Sequence, residues 1–342
     1  MPRYGCRVKR YLKCICLVVL LVAGLPLRSP APFVYRPGEG WSYESAGSEG
    51  TWIRARAKDQ LDVAQEAFDK KNYPLATLAA RRVVSVWPLS DYAPQAQYLM
   101  ARCSEAKHQD EKAFSQYQTL LEKFPKSANY PDVLERQFEI CNRFLDGEAF
   151  RLWGYIPTFP SMDKTVAMYE KVIKNGPYSD VAPHAQLNIG TAYERQTRFF
   201  NDNEPYVKAA SAYELAADRY HDRPDVAADA LYRQGLAINK QARTAEYDQS
   251  TAGRAIATFI DFMTLYPDDA RVKDAQKIID QLKAEQARGN FEIARYYESK
   301  GQWQGASIYY NEVVTRNPDS PYKEPSLQRI AALKKLVNQS DK

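Results

Sequence analysis

The chain has 342 residues, with 47 Lys and Arg against 42 Asp and Glu. Six of the basic residues (Arg3, Arg7, Lys9, Arg10, Lys13 and Arg28) fall in the first 31 positions, which hold no acid, so the remainder carries 41 basic and 42 acidic side chains. A near-neutral body gives no electrostatic footprint for nucleic acid, and that class of partner is set aside.

Residues 1–31 begin with a cationic stretch to Lys13 and continue with an apolar run from Cys14 to Leu27. Fourteen helical residues cover about 21 Å, short of the roughly 30 Å hydrocarbon core of a bilayer. The pattern predicts a secretory signal peptide, with an uncleaved anchor as the alternative. "LVAG" at 21–24 looks like the start of a bacterial lipobox, yet residue 25 is leucine where cysteine would be needed. The leader's own cysteines (Cys6, Cys14 and Cys16) lie before or at the start of the apolar run. Export is expected. A lipid anchor is doubtful, which leaves membrane association peripheral or through the leader.

Residues 32–52 are rich in Gly and Ser but hold five aromatics, and they read as an exposed linker, part of which the aromatics would dock onto another surface. Beyond them the chain repeats itself. "PLSDYAPQAQ" (88–97) and "PYSDVAPHAQ" (177–186) agree at seven of ten positions. Pro88 and Pro177 stop a helix, Ser90, Asp91, Ser179 and Asp180 are cap-type residues, and Pro94 and Pro183 suit a first helical turn. The decamer is punctuation between helices.

Small residues between these marks are regularly spaced. Ala64, Ala76 and Pro88 are separated by twelve and twelve, as are Ala101, Ala113 and Pro125. These are positions 8, 20 and 32 of the tetratricopeptide pattern. The last copy is the fullest, with Ala294, Tyr297, Gly301, Trp303, Ala306, Tyr310 and Pro318 at positions 8, 11, 15, 17, 20, 24 and 32. Copies three (Phe138 to Pro177), four (Gly190, Tyr193, Ala209, Tyr213) and five (Gly235, Ala255, Phe259, Pro267) carry insertions. The expected fold is an all-α tetratricopeptide-repeat superhelix of about six helical hairpins. A C-terminal capping helix follows, with Leu327, Ile330, Leu333 and Leu336 on its inner face. The expected division is N-terminal hairpins over 53–224 and C-terminal hairpins with the cap over 225–337. The aromatic insert 146–163 either folds back on its own hairpin or forms a patch for a partner.

Catalytic signatures are missing. His108, His184 and His221 are scattered, with no metal-ligand spacing, and there is no GxSxG elbow, P-loop or GxGxxG. The chain is expected to be no enzyme and to need no cofactor. Acids at 268 and 269 are expected to favour a helix dipole. Cys103 and Cys141 read as buried apolar residues, with a disulfide as the alternative in an oxidising compartment.

Positions 5, 9 and 12 of each first helix face the inner surface. They hold Leu61, Gln65 and Phe68 in copy one, and Tyr98, Arg102 and Glu105 in copy two. Cochaperone repeats clamp a terminal carboxylate with Lys at 5 and Asn at 9, and those residues are missing here. An aromatic and arginine groove there suits an extended peptide with aromatic side chains, with a solvated concave surface as the alternative.

"FEIARYYESKGQWQGASIYYNEVVTRNPDS" (291–320), "DALYRQGLAINKQA" (229–242) and "YDQSTAGRAIATFIDFMTLYPDDARVKDA" (247–275) resemble the C-terminal repeats of the BamD family. The resemblance is dense over about 225–320 and looser from 59 to 224. It implies a periplasmic scaffold of outer-membrane β-barrel assembly. The C-terminal repeats would dock on a BamA-like, POTRA-containing insertase, and the N-terminal repeats would receive unfolded barrel proteins. On that resemblance Phe68, Tyr98 and Arg102 line the substrate-peptide groove and Arg295 faces the partner. The alternative is another exported repeat adaptor, for envelope constriction or pilus assembly.

Overall fold

The computed structural model describes residues 33–36, 40–43, 52–127, 129–152, 156–157, 159–196, 203–244 and 249–340. The leader lies outside them, and with it the signal-peptide expectation. Two compact units divide at Phe124 and Pro125. The 224/225 boundary, drawn from density of resemblance, falls inside the second.

The first unit holds an antiparallel strand pair, β1 (Phe33–Arg36) and β2 (Gly40–Tyr43), where the sequence reads as plain linker. Tyr35 pairs with Trp41 across it, which follows from alternating aromatic and β-favouring residues on both sides of a Gly-containing turn signal. Four helices follow: α1 (Ala57–Asp69), α2 (Tyr73–Val86), α3 (Ala93–Glu105) and α4 (Asp110–Lys123). Trp52, from the end of the linker, packs against their core.

The second unit holds α5 (Tyr130–Leu145), a short strand pair β3 (Arg151–Leu152) and β4 (Ile156–Pro157), α6 (Met162–Asn175), α7 (Val181–Gln196) and α8 (Glu204–Arg219). It continues with α9 (Pro224–Thr244), α10 (Gln249–Leu265), α11 (Val272–Ser299), α12 (Trp303–Arg316) and α13 (Lys323–Ser340). Within each unit consecutive helices pack on one another, and the described residues give six helical hairpins with a closing helix. The fold is the expected all-α tetratricopeptide-repeat array.

Small residues set the hairpin crossings. Ala64, Ala76, Ala101, Ala113, Ala209, Ala255, Ala294 and Ala306 are all fully buried, and in copy three Thr165 takes the position-20 slot, also fully buried. The facing helix approaches closely only where the side chain is this short, so the spacing of twelve is a packing constraint.

The decamers end one helix and begin the next as read, but of their four cap-type residues only Ser90 is seen, among the described residues, to accept a backbone amide. Tyr92 donates its amide to Ser90 Oγ at 3.0 Å, and Tyr322 to Ser320 Oγ at 3.1 Å, which repeats the turn at the last hairpin. Ser179 Oγ instead donates to the Gly176 carbonyl. Asp180 serves no cap; it pairs with Arg223 at 2.9 Å. Asp269 does more than face a dipole, since it accepts both the backbone amide and the guanidinium of Arg271.

The copy-three insert folds back in part. Phe150 is buried and stacks on Phe144 at 4.2 Å, with the Lys164 ammonium over its other face at 4.9 Å. Phe159 is 89% exposed, and Trp153 and Tyr155 lie outside the described residues. In the cap, Ile330 and Leu333 are buried as expected, but Leu327 is exposed, because packing narrows the stripe near the helix start. The Leu336 side chain lies outside the described residues. Cys103 and Cys141 are free, buried, and in different units, and burial pushes both thiols up.

Candidate functional site: an arginine between rings, and a repeated tyrosine–carboxylate latch

The first unit brings its three predicted groove residues together. Phe68 closes the last turn of α1, while Tyr98 and Arg102 stand one turn apart on α3. The Arg102 guanidinium lies 5.8 Å from the Phe68 ring centre and 5.8 Å from that of Tyr98, and it donates to Tyr98 Oη at 3.2 Å. All three are half-buried. Tyr73 supports Phe68 at 5.6 Å, and Tyr117 supports Tyr98 at 6.1 Å. A cation held over two ring faces is pre-oriented, and a guanidinium has five donors, of which one is used among the described residues. The free donors suit a carboxylate or peptide carbonyls beside an aromatic side chain.

Arg295 is elsewhere, in the second unit on α11. Its side chain is 62% exposed and leans on Glu292 at 3.6 Å, a surface pair worth little.

A pattern the sequence reading missed runs through the repeats. Tyrosine at position 24 donates to the carboxylate at position 12 of its own hairpin. Tyr117 reaches Glu105 at 2.8 Å, Tyr213 reaches Glu194 at 3.1 Å and Tyr310 reaches Glu298 at 2.9 Å. In copy three Tyr169 reaches Asn142 at 2.6 Å. Two of the acids also bind the next copy: Glu194 pairs with Lys240 on α9, and Glu298 with Arg329 on α13. One carboxylate thus ties a hairpin shut and stitches it to its neighbour. The signal was legible at Glu105/Tyr117 and Glu298/Tyr310, twelve apart in both, but insertions stretch it elsewhere.

A second structural cluster centres on Arg271. Its guanidinium covers Tyr232 at 4.9 Å and Phe262 at 5.6 Å, grips both oxygens of Asp269, and reaches Asp229 at 2.7 Å. The hydrogen bond from Arg271 holds the Asp269 carboxyl below its usual range. A carboxyl lowered on folding contributes stability that is complete above its unfolded value near 4 and is lost as pH falls through the folded value. Arg271→Leu should therefore lower the melting midpoint at neutral pH and flatten its fall between about pH 5 and 2. Melting curves across that range check it, and parallel acid limbs in the two proteins would remove Asp269 from the account.

Among the described residues no cluster of three or more His, Cys, Asp or Glu is arranged to hold a metal, and no helix is long and apolar enough to cross a membrane.

Stacked hairpins presenting preformed faces define a tetratricopeptide-repeat protein, a class that works by binding other proteins. A repeat model matches residues 95–127. The family model YfiO, described as an outer membrane lipoprotein, matches residues 162–341, more than half of the chain. The chain belongs to this BamD-like family, and the match reaches well upstream of the dense resemblance at 225–320.

No curated protein matches the chain. Solved structures share the repeat fold at low similarity. The C-terminal part of a tetratricopeptide-repeat protein from Cytophaga hutchinsonii is 17% identical, with 94% of this chain and 96% of that one covered and a TM-score of 0.34. MamA from Desulfovibrio magneticus RS-1 is 13% identical over 63% of this chain and 97% of that one, TM-score 0.32. PilW, a type IV pilus biogenesis factor, is 15% identical over 79% and 98%, TM-score 0.26. These likenesses concern the fold alone.

Proposed function

We propose that this protein is a non-catalytic scaffold on the periplasmic face of the outer membrane. It docks on a BamA-like, POTRA-containing insertase and receives unfolded β-barrel proteins. The observation that carries this reading is family membership over 162–341, the part assigned to docking, with Arg295 on its exposed surface. The Phe68–Tyr98–Arg102 face supports the receiving role, because barrel signal segments are extended and aromatic. With Leu25 in the lipobox slot, attachment comes from the leader or from the partner.

A mild-detergent pull-down of the tagged protein from cell envelopes tests this, with mass spectrometry of its partners and of its own N-terminus. A POTRA-containing barrel protein is the expected partner, and a lipid-free N-terminus is expected. Recovery of division or pilus proteins in its place would replace the assembly role with the adaptor reading.

A further inference from the structure

Copy five is built differently from the others. Gly235 and Ala255 are twenty residues apart, where Ala64 and Ala76 are twelve. The extra length carries α9 on to Thr244 and sets the start of α10 at Gln249. The end of α9 and the start of α10 meet the middle of α11, the 28-residue helix shared by copies five and six. A cavity of about 690 Å³ lies among the three, within the size range of ligand sites. Gly289 brings α11 close, since a Cβ there would stand 3.3 Å from Gln249 Nε2.

The latch is broken here. Asn239 occupies the position of Glu105, Glu194 and Glu298, but Phe259 stands where those copies have tyrosine. Asn239 is 6% exposed and its Oδ1 has no partner. Gln249 Nε2, also on the cavity wall, has none either. Leaving such atoms unpaired is costly, so native proteins rarely keep them without a use. One acceptor and one donor match the N–H and C=O of a peptide backbone. Both atoms are buried as they stand, and the soft terminal torsions of both side chains let a bound segment draw them toward the cavity. Ile278 and Leu282 supply an apolar wall. Of the two arginines lining the site, Arg288 is held by Glu285 at 2.7 Å, while exposed Arg243 has no acidic partner among the described residues.

We propose that this cavity binds an extended acidic peptide segment. Asn239 and Gln249 take its backbone, Ile278 and Leu282 a small aliphatic side chain, and Arg243 its carboxylate. The site is distinct from the Phe68–Tyr98–Arg102 face and lies in the other unit, so its test stands apart from that of the assembly role.

The test uses the purified full chain and fluorescence anisotropy with labelled, capped hexapeptides of alanine and valine carrying one aspartate, one asparagine or one lysine. The aspartate peptide should bind tightest and the lysine peptide weakest. Asn239→Leu should weaken the aspartate peptide about tenfold, as losing a buried hydrogen bond does. It should also keep or raise the melting midpoint, because it replaces an unpaired oxygen with an apolar group of similar size. Arg243→Gln should abolish the preference for aspartate over asparagine. If Asn239→Leu does not fold, Gln249→Leu carries the same expectation. Equal binding of the three peptides overturns the proposal, as does no binding at millimolar peptide. So does a lower melting midpoint for Asn239→Leu with peptide affinity unchanged, which would make Asn239 a packing residue.

Discussion

Gly190→Val should destabilise the second unit by about 3 kcal/mol, the upper end of overpacking effects. A Cβ at this position would lie 2.4 Å from the Tyr213 ring, with two further ring atoms within 2.7 Å. The ring cannot step aside cheaply. It is 1% exposed, sits in the core cluster with Ala209, Ala216 and Ile238, and its hydroxyl is tied to Glu194 at 3.1 Å and Thr191 at 3.3 Å. Moving it breaks the latch that also joins Glu194 to Lys240 on the next copy. Glycine inside a helix costs about 0.5–1 kcal/mol against alanine, and that small gain does not offset the clash. For a unit of this size the midpoint should drop by about 6–12 °C. Tyr213→Leu in the same chain should recover part of the loss, since the two side chains compete for one space. An unshifted midpoint for Gly190→Val would mean that α7 and α8 do not cross at Gly190.

The repeat register was legible because it rests on side-chain size. Ala64 with Ala76, Ala101 with Ala113 and Ala294 with Ala306 sit at helix crossings where nothing larger fits, so the spacing survives however the surface varies. Features that depend on two separated residues meeting were less legible. The linker between 33 and 43 reads as Gly-rich and exposed, yet its aromatics pair across two strands. Leu327 keeps helical spacing with Ile330 but stands exposed, because periodicity gives the direction of a stripe and not the reach of its partner helix. α11 was legible only around Ala294 and Tyr297. Its first half carries no repeat signature, since it packs against copy five through Ala275 and Ile279. The groove residues were legible one by one from positions 5, 9 and 12. That Arg102 lies over two rings, and not out in solvent, follows from rotamers that a pattern does not specify.

Tyr98→Ala combined with Arg102→Ala should weaken binding of a synthetic barrel signal peptide by about ten- to a hundredfold, the range of a hot-spot pair in a half-buried site. Helicity should persist, because the buried face of α3, Leu99, Met100 and Cys103, is untouched. Graded variants separate the contributions. Tyr98→Phe removes the hydroxyl to which Arg102 donates at 3.2 Å and keeps the ring, so it should cost less than Tyr98→Ala. Arg102→Lys keeps the charge but loses the planar fork and its stacking on Phe68, and should cost most of what Arg102→Ala costs if the peptide is held by a carboxylate or paired carbonyls. If Arg102→Lys binds as the wild type does, the cation acts as a point charge and the rings carry the recognition. Unchanged affinity in the double variant, measured by direct titration, would take this face out of peptide binding. The rings and guanidinium would then be a packed edge of the first unit, and the receiving role would have to lie on another surface.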